Sequence, residues 1–160
     1  MSTEKKKALF ICLGNICRSP IAEGVFQKTV NDQGLGDKWE IDSAAIASID
    51  LKPLTMYLLK GTTNMINLLF VYLQLTTNDF TYYNYIFGMD DGNMKYLNKN
   101  APEGSTAKLL LFGDFDPEGD RIIRDPYFVS INIHTHLSHL FNIICSKGFL
   151  ASLEKEASTS

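Results

Sequence analysis

The stretch that decides the fold is Ala8-Leu9-Phe10-Ile11 followed by Cys12-Leu13-Gly14-Asn15-Ile16-Cys17-Arg18-Ser19-Pro20. Its four leading apolar residues predict a short, buried parallel strand. Ser19 before Pro20 predicts a helix start, with the hydroxyl residue as N-cap and proline at the first helical position. Apolar residues then recur at helical spacing until Gly34, where we expect this helix to end. The first part of the chain is therefore predicted to be strand, loop and helix.

The remainder of the chain repeats this alternation. Short apolar runs predict strands near residues 39–43, 83–89 and 108–112. Helices are predicted at about residues 91–98 and over much of 130–155. Alternating strands and helices are typical of an α/β fold with helices on both faces of a parallel sheet. No internal repeat or long linker divides the chain, so residues 1–160 are expected to form a single domain.

Composition and charge exclude several classes of protein. The chain has 160 residues, of which 45% are hydrophobic and 21% charged, as in ordinary globular domains. A net charge of −3 argues against a broad nucleic-acid-binding surface. Three cysteines are too few for a disulfide scaffold and favour a reducing, cytoplasmic location. The densest apolar run, residues 65–75, is too short for a bilayer of about 30 Å, so no membrane association is expected.

The loop between Cys12 and Ser19 predicts an oxyanion site with a nucleophile. A loop between a strand and a helix start can wrap a tetrahedral anion with its backbone N–H groups, and the helix dipole adds positive potential. Arg18 supplies a two-pronged guanidinium for phosphate oxygens, and the same field favours a thiolate at Cys12. Ser19 can donate a hydrogen bond to the sulfur, while Asn15 tolerates the left-handed backbone of a tight turn. The predicted phosphate-binding residues of the loop are Leu13, Gly14, Asn15, Ile16, Cys17 and Ser19.

A candidate general acid lies far along the chain in Asp125-Pro126-Tyr127-Phe128. Asp125 could protonate a departing phenolate and then activate water for the second step. Tyr127 and Phe128 would flank a flat ring in the mouth of the site. Alternatively, Asp-Pro is a simple turn.

Several motifs together resemble the low-molecular-weight protein tyrosine phosphatase family. The string CLGNICRSPIAE at residues 12–23 is similar to its signature, and four shorter motifs follow in the family's order: IDSAA at 41–45, YIFGMD at 85–90, GDFDP at 113–117 and DPY at 125–127. The resemblance implies a three-layer α/β/α fold with a central four-stranded parallel sheet. It also implies a phosphocysteine intermediate with no metal or cofactor.

The same resemblance assigns roles to individual residues. Cys12 matches the nucleophile, Arg18 the phosphate clamp and Asp125 the general acid. Asn15 and Ser43 match the pair that supports the shape of the loop. Cys17 matches a second cysteine that can form a disulfide with the nucleophile under oxidation, and Ile16 fits the tyrosine-directed branch of the family.

Two segments, at about residues 51–75 and 129–146, do not match the family. The first has no acidic residue and the second no charged residue, although a surface helix should carry a charged face. The family's histidine in the Asn–Ser network has no evident counterpart here. One hypothesis is that both segments are translated non-coding sequence from a gene model or an alternative transcript. The competing interpretation is genuine divergence.

A histidine cluster lies in the second of these segments. The spacing of His134, His136 and His139 could suit a transition metal, but the segment has no acidic residue. A solvated or chance cluster is the favoured interpretation, and we assign no metal.

The sequence therefore predicts a cytoplasmic, monomeric phosphatase that acts on phosphotyrosine proteins and small aryl phosphates. One alternative is a catalytically impaired pseudo-phosphatase that only binds phosphate. The other is an arsenate reductase on the same fold, which would need further cysteines within residues 83–98, where there are none.

Overall fold

The computed structural model describes residues 4–15, 18–47, 74–119, 121–123 and 131–159, without the side chains of residues 131–140. The predictions for residues 51–73 lie outside this description. So do those for the side chains of His134, His136 and His139, and for five candidate site residues: Ile16, Cys17, Asp125, Tyr127 and Phe128.

Four parallel strands form the central sheet: β1 (Lys6–Cys12), β2 (Trp39–Ala45), β3 (Tyr85–Gly88) and β4 (Lys108–Leu111). Their order is β2-β1-β3-β4, which confirms the predicted four-stranded parallel sheet. β1 is a central strand, and its last residue, Cys12, pairs in register with Ala45 at the end of β2. The candidate nucleophile thus lies at the carboxyl edge of the sheet, where ligands of open α/β folds bind.

Within the described residues, four helices accompany the strands: α1 (Arg18–Asp32), α2 (Asp79–Tyr82), α3 (Asp91–Asn100) and α4 (Ile131–Thr159). Two 3₁₀ turns lie at Gly36–Lys38 and Phe112–Phe115. The helix predicted at about residues 91–98 and the long C-terminal helix are confirmed. The third strand, predicted at 83–89, spans only Tyr85–Gly88, because Tyr83 N–H still bonds to the Asp79 carbonyl of α2 and pairing with β1 begins at Tyr85.

The predicted capping role of Ser19 is wrong. Helix α1 already includes Arg18, so Ser19 and Pro20 both lie within its first turn. The Ser19 hydroxyl contacts the Cys12 sulfur and the Asn15 side chain instead of capping the helix. Pro20 remains compatible with the helix, because amides in the first turn have no intrahelical acceptor.

The sheet buries one apolar core on each face, which confirms the three-layer architecture. On one face, α1 and α4 cover an aromatic cluster that includes Phe10, Phe26 and Phe149. On the other face, Phe80 of α2 and Leu97 of α3 pack against Leu9 and Ile11 of β1 and Ile86 of β3. Alternate residues of β1 therefore enter opposite cores, as required of a strand that is covered on both faces.

The segment that does not match the family ends at about residue 146, within helix α4. The helix contributes buried residues on both sides of this point. Asn142, Cys145 and Ser146 are fully buried, and Phe149 and Leu150 follow them into the same core. A Cβ at Gly148 would lie 2.0 Å from the Phe115 carbonyl oxygen, so only glycine allows the helix to approach the 3₁₀ turn at Phe112–Phe115 this closely. No helix in the described part of the chain has the length and apolar character needed to cross a membrane.

Candidate active site

The site begins at Cys12, where β1 ends in the middle of the sheet. Its side chain is buried, and the backbone on either side of it is tied to the end of β2. The Cys12 carbonyl accepts from Ile46 N–H at 3.0 Å, and the Leu13 carbonyl accepts from Ala47 N–H at 3.0 Å. Cys12 therefore has a fixed position relative to the sheet, and Leu13, which is 52% exposed, points towards solvent.

Ser19 lies beside the sulfur of Cys12. Its Oγ is 3.0 Å from Cys12 Sγ and donates to Asn15 Oδ1 at 2.8 Å. A hydroxyl has a single proton, so Ser19 can donate to Asn15 while the thiol donates to Ser19. Once Cys12 is a thiolate, that hydroxyl proton is needed at the sulfur. Ionisation of Cys12 is thus expected to turn the Ser19 hydroxyl from Asn15 to the sulfur.

Asn15 forms the left-handed turn of the loop. Its φ of 49° is the only positive φ among the described non-glycine residues. The side chain is buried, and its Nδ2 donates to the Ser43 carbonyl oxygen at 3.4 Å. The structure thus brings Asn15, Ser19 and Ser43 together with Cys12, as the resemblance implies, although Asn15 contacts the backbone of Ser43 and not its hydroxyl.

The Ser43 hydroxyl donates to the Glu23 carboxylate, a contact between β2 and α1. Burial raises the pKa of Glu23 above its ordinary value of 4.5, and the negative charge of Asp42 adds to this shift, whereas the Ser43 hydrogen bond opposes it. The sequence has no histidine before His134, and in the described part of the chain the Ser43 hydroxyl is bound by this carboxylate. Sequence reasoning did not identify Glu23 as a functional residue.

Arg18 is buried at the start of α1 and has two acceptors from other elements. Its Nη1 donates to Asp90 Oδ2 at 2.5 Å and to the Ile123 carbonyl oxygen at 3.2 Å. These contacts tie the guanidinium to Asp90, after β3, and to the segment that leads towards Asp125. Charge-assisted hydrogen bonds of this kind are both stronger and more directional than neutral ones.

Asp90 is the second functional residue that sequence reasoning missed. Its Oδ1 accepts from Asn93 N–H at 2.7 Å as the N-cap of α3, while its Oδ2 binds Arg18. The carboxylate therefore joins β3, α3 and the candidate phosphate clamp. Its position directly after the third strand, at the carboxyl edge of the sheet, was the signal that could have revealed it.

Residues 121–123 lead to the candidate general acid. Ile123 N–H donates to the Met89 carbonyl at 3.0 Å, which holds this segment against the end of β3. A Cβ at Gly113 would lie 2.0 Å from the Arg121 carbonyl oxygen, so glycine is required for this close approach. Asp125 follows Ile123 by two residues, and its role remains a prediction because it lies outside the described residues.

The described residues contain no group of three His, Cys, Asp or Glu side chains that could hold a metal ion. The residues that are placed near Cys12 instead offer a thiol, a guanidinium, a hydroxyl and loop amides. Such a set suits the binding of an oxyanion and nucleophilic attack on it.

Comparison with known proteins agrees with this geometry. Residues 7–159 match the family described as low molecular weight phosphotyrosine protein phosphatase. A rat protein of that name is 42% identical over 129 residues, which cover 77% of this chain and 80% of the rat protein. The crystal structure of Primo-1 covers 91% of this chain and 97% of its own, with a TM-score of 0.74 at 36% identity. A protein tyrosine phosphatase structure from Entamoeba histolytica covers 96% of this chain and 99% of its own, with a TM-score of 0.76 at 27% identity.

Proposed function

The chain belongs to the low molecular weight phosphotyrosine protein phosphatase family, and we propose that it hydrolyses phosphotyrosine and small aryl phosphates through a phosphocysteine intermediate. The observation that carries the proposal is the contact of 3.0 Å between Cys12 Sγ and Ser19 Oγ, in a loop whose arginine is held by two acceptors. Hydrolases of phosphoric monoesters that use a cysteine need this combination of nucleophile, hydroxyl and cation.

In the first step, the Cys12 thiolate attacks phosphorus in line with the aryl oxygen. The S–P bond forms, the P–O bond to the aryl group breaks, and Asp125 donates its proton to the departing phenolate. Arg18 and the amides of residues 13–19 stabilise the charge on the equatorial phosphate oxygens. Tyr127 and Phe128 would contact the aromatic ring of the substrate.

In the second step, water attacks the phosphocysteine and the S–P bond breaks. Asp125, now a carboxylate, accepts a proton from that water, so that the enzyme returns to its starting state. The Ser19 hydroxyl supports the sulfur as a leaving group, because its proton is available to the developing thiolate. The step yields inorganic phosphate and needs no metal.

The substrates that fit this chemistry are phosphotyrosine proteins, since an aromatic leaving group suits an acid placed beside two aromatic residues. We also infer a cytoplasmic, monomeric, single-domain protein that does not bind nucleic acid. The net charge of −3 and the small number of cysteines support these inferences.

The test is hydrolysis of p-nitrophenyl phosphate by the purified chain, with a Cys12→Ser variant beside it. We expect turnover by the native chain and a loss of at least about 10³-fold in kcat for Cys12→Ser, because a serine hydroxyl stays protonated where the cysteine forms a thiolate. The matched control is Cys145→Ala, which removes another buried cysteine, on α4. We expect it to retain activity.

Two results would contradict the proposal. A folded native chain that binds orthovanadate but turns over no substrate would indicate a phosphate-binding pseudo-phosphatase. Equal loss of activity in Cys12→Ser and Cys145→Ala would mean that the thiol of Cys12 has no special role.

A further inference from the structure

Glu23 lies one helical turn after Ser19 on α1, and its carboxylate accepts the hydroxyl of Ser43 on β2. This contact joins the helix that follows the catalytic loop to the strand beside β1. Neither residue is in the loop itself. Their pairing therefore fixes the distance between the two elements that border the loop.

A continuous series of hydrogen bonds leads from this pair to the nucleophile. The Ser43 carbonyl accepts from Asn15 Nδ2, Asn15 Oδ1 accepts from Ser19, and Ser19 Oγ lies 3.0 Å from Cys12 Sγ. Asn15 also holds the strained turn of the loop at φ 49°. Any shift of Ser43 would thus change the support of this turn.

We propose that Glu23 is a positioning residue for the phosphatase reaction, which acts by holding Ser43 and, through Asn15, the conformation of the loop around Cys12. The proposal rests on the proposed function of Cys12. Glu23 itself contacts neither the sulfur nor the expected phosphate, so its effect on the reaction is transmitted through Ser43.

The ionisation of Glu23 gives this role a pH dependence. Among the described groups, the charge that faces Glu23 is Asp42 on β2, and burial together with that charge raises the pKa of Glu23 above 4.5. The ionised carboxylate accepts a charge-assisted hydrogen bond from Ser43. Protonation removes that charge and weakens the hydrogen bond to Ser43. Because the pKa of Glu23 is raised, this weakening begins at a higher pH than it would for an exposed glutamate.

The test is a double-mutant cycle on kcat/KM with Glu23→Ala, Ser43→Ala and the double variant. Each single variant is expected to lose on the order of tenfold, the value for a hydrogen bond to a charged group. The double variant is expected to lose no more than either single variant, because the two side chains act as one unit. Losses that multiply would overturn the proposal.

A matched control is the surface pair Tyr82 and Glu40, in which a hydroxyl also donates to a carboxylate, at 2.5 Å. This pair joins α2 to β2 on the protein surface. Tyr82→Phe and Glu40→Ala are expected to leave kcat/KM unchanged. A tenfold loss in either control would overturn the proposal, because the losses at Glu23 and Ser43 would then reflect general damage to β2.

Rescue by Glu23→Gln separates positioning from a purely structural role. The amide oxygen still accepts from Ser43 but cannot ionise, so the variant should recover most of the loss seen in Glu23→Ala. The ratio of native to Glu23→Gln activity should exceed one at neutral pH and approach one as the pH falls below the pKa of Glu23. This ratio cancels the titration of substrate and of Asp125, and a ratio that does not change with pH would overturn the role of the charge.

The same cycle on the Kd of orthovanadate distinguishes failure of this proposal from failure of the proposed function. If the native chain binds vanadate without turnover, the proposed function fails, and the cycle on Kd still decides the coupling of Glu23 to Ser43. A native chain that neither binds vanadate nor turns over substrate overturns both proposals. Circular dichroism of each variant identifies those that are unfolded. If any of them is, the pH dependence of the ratio of native to Glu23→Gln activity decides the proposal in place of the cycle.

Discussion

At the scale of single residues, Asp90 has two roles that mutation can separate. Its Oδ1 caps α3 and its Oδ2 binds Arg18. Asp90→Ala removes both contacts, and we expect a loss of about 1 kcal/mol in the free energy of unfolding from the missing cap. We also expect about a tenfold fall in kcat/KM, because Arg18 loses a charge-assisted contact that orients it. Urea unfolding and steady-state kinetics measure the two effects.

Asp90→Asn is the matched variant, since asparagine is also a good N-cap. Asp90→Asn should recover most of the stability that Asp90→Ala loses. Its neutral amide should bind Arg18 less firmly than the carboxylate does, so kcat/KM should stay below that of the native chain. If Asp90→Ala is as active as the native chain, Asp90 has only the capping role.

Single residues also show where sequence reasoning stops. The positions of Cys12, Asn15, Arg18 and Ser19 could be predicted because their spacing along one loop places them together. Glu23 and Asp90 could not be assigned in the same way, since their partners lie 20 and 72 residues away in the chain. A carboxylate on a helix usually faces solvent, so only the fold shows that Glu23 is directed to the site, whereas the place of Asp90 after the third strand was a signal that sequence reasoning did not use.

At the scale of elements, the contact between α4 and the 3₁₀ turn at Phe112–Phe115 depends on Gly148. A Cβ there would lie 2.0 Å from a backbone oxygen, which cannot move without displacing the turn. We therefore expect Gly148→Ala to lower the free energy of unfolding by about 1–3 kcal/mol, as overpacking does elsewhere. Thermal or urea unfolding would measure it.

The control is Gly24→Ala, in the exposed part of α1, where no atom lies within 4 Å of the added Cβ. Alanine is the better helix former by about 1 kcal/mol, so this variant should be stabilised. Equal effects from the two substitutions would show that helix propensity alone decides the result and that the close approach at Gly148 costs little.

The elements themselves were largely predictable because their apolar patterns are local. The four strands and the helices α1, α3 and α4 follow from periodicity. The error at Ser19 has a different origin. Serine is a common N-cap residue, but the helix already includes Arg18, and the Ser19 hydroxyl contacts Cys12 and Asn15. Propensity is a weak guide where a side chain has stronger partners in the site.

At the scale of the whole molecule, the resemblance implied a four-stranded parallel sheet, but the order of its strands was not predicted. Alternating strands and helices indicate a parallel sheet, yet they do not say that β1 lies between β2 and β3. The order matters for function, because it places Cys12 at the end of β1, Ser43 near the end of β2 and Asp90 shortly after the end of β3. The support of the loop by β2 and of Arg18 by the end of β3 is a property of this topology, and no local pattern contains it.

Two partly buried acids, Glu23 on α1 and Asp42 on β2, predict one contribution to the pH dependence of stability. Burial raises the pKa of Glu23 above 4.5 and the pKa of Asp42 above 3.8, and the ordinary values apply to the unfolded chain. The folded state therefore binds more protons than the unfolded state between the ordinary and the raised values. It follows that the contribution of these two acids to the free energy of unfolding is greatest below this window and falls as the pH rises through it.

The measurement is urea unfolding between about pH 4 and about pH 8, followed by fluorescence of Trp39, the single and buried tryptophan. Glu23→Gln cannot ionise, so its stability should fall less steeply over this range than that of the native chain. Because the same charge is proposed to support the loop, the variant should be the more stable and the less active protein at neutral pH. A variant with the native pH slope would show that Glu23 titrates alike in the folded and unfolded states, and a variant that is both less stable and less active would assign Glu23 a structural role alone.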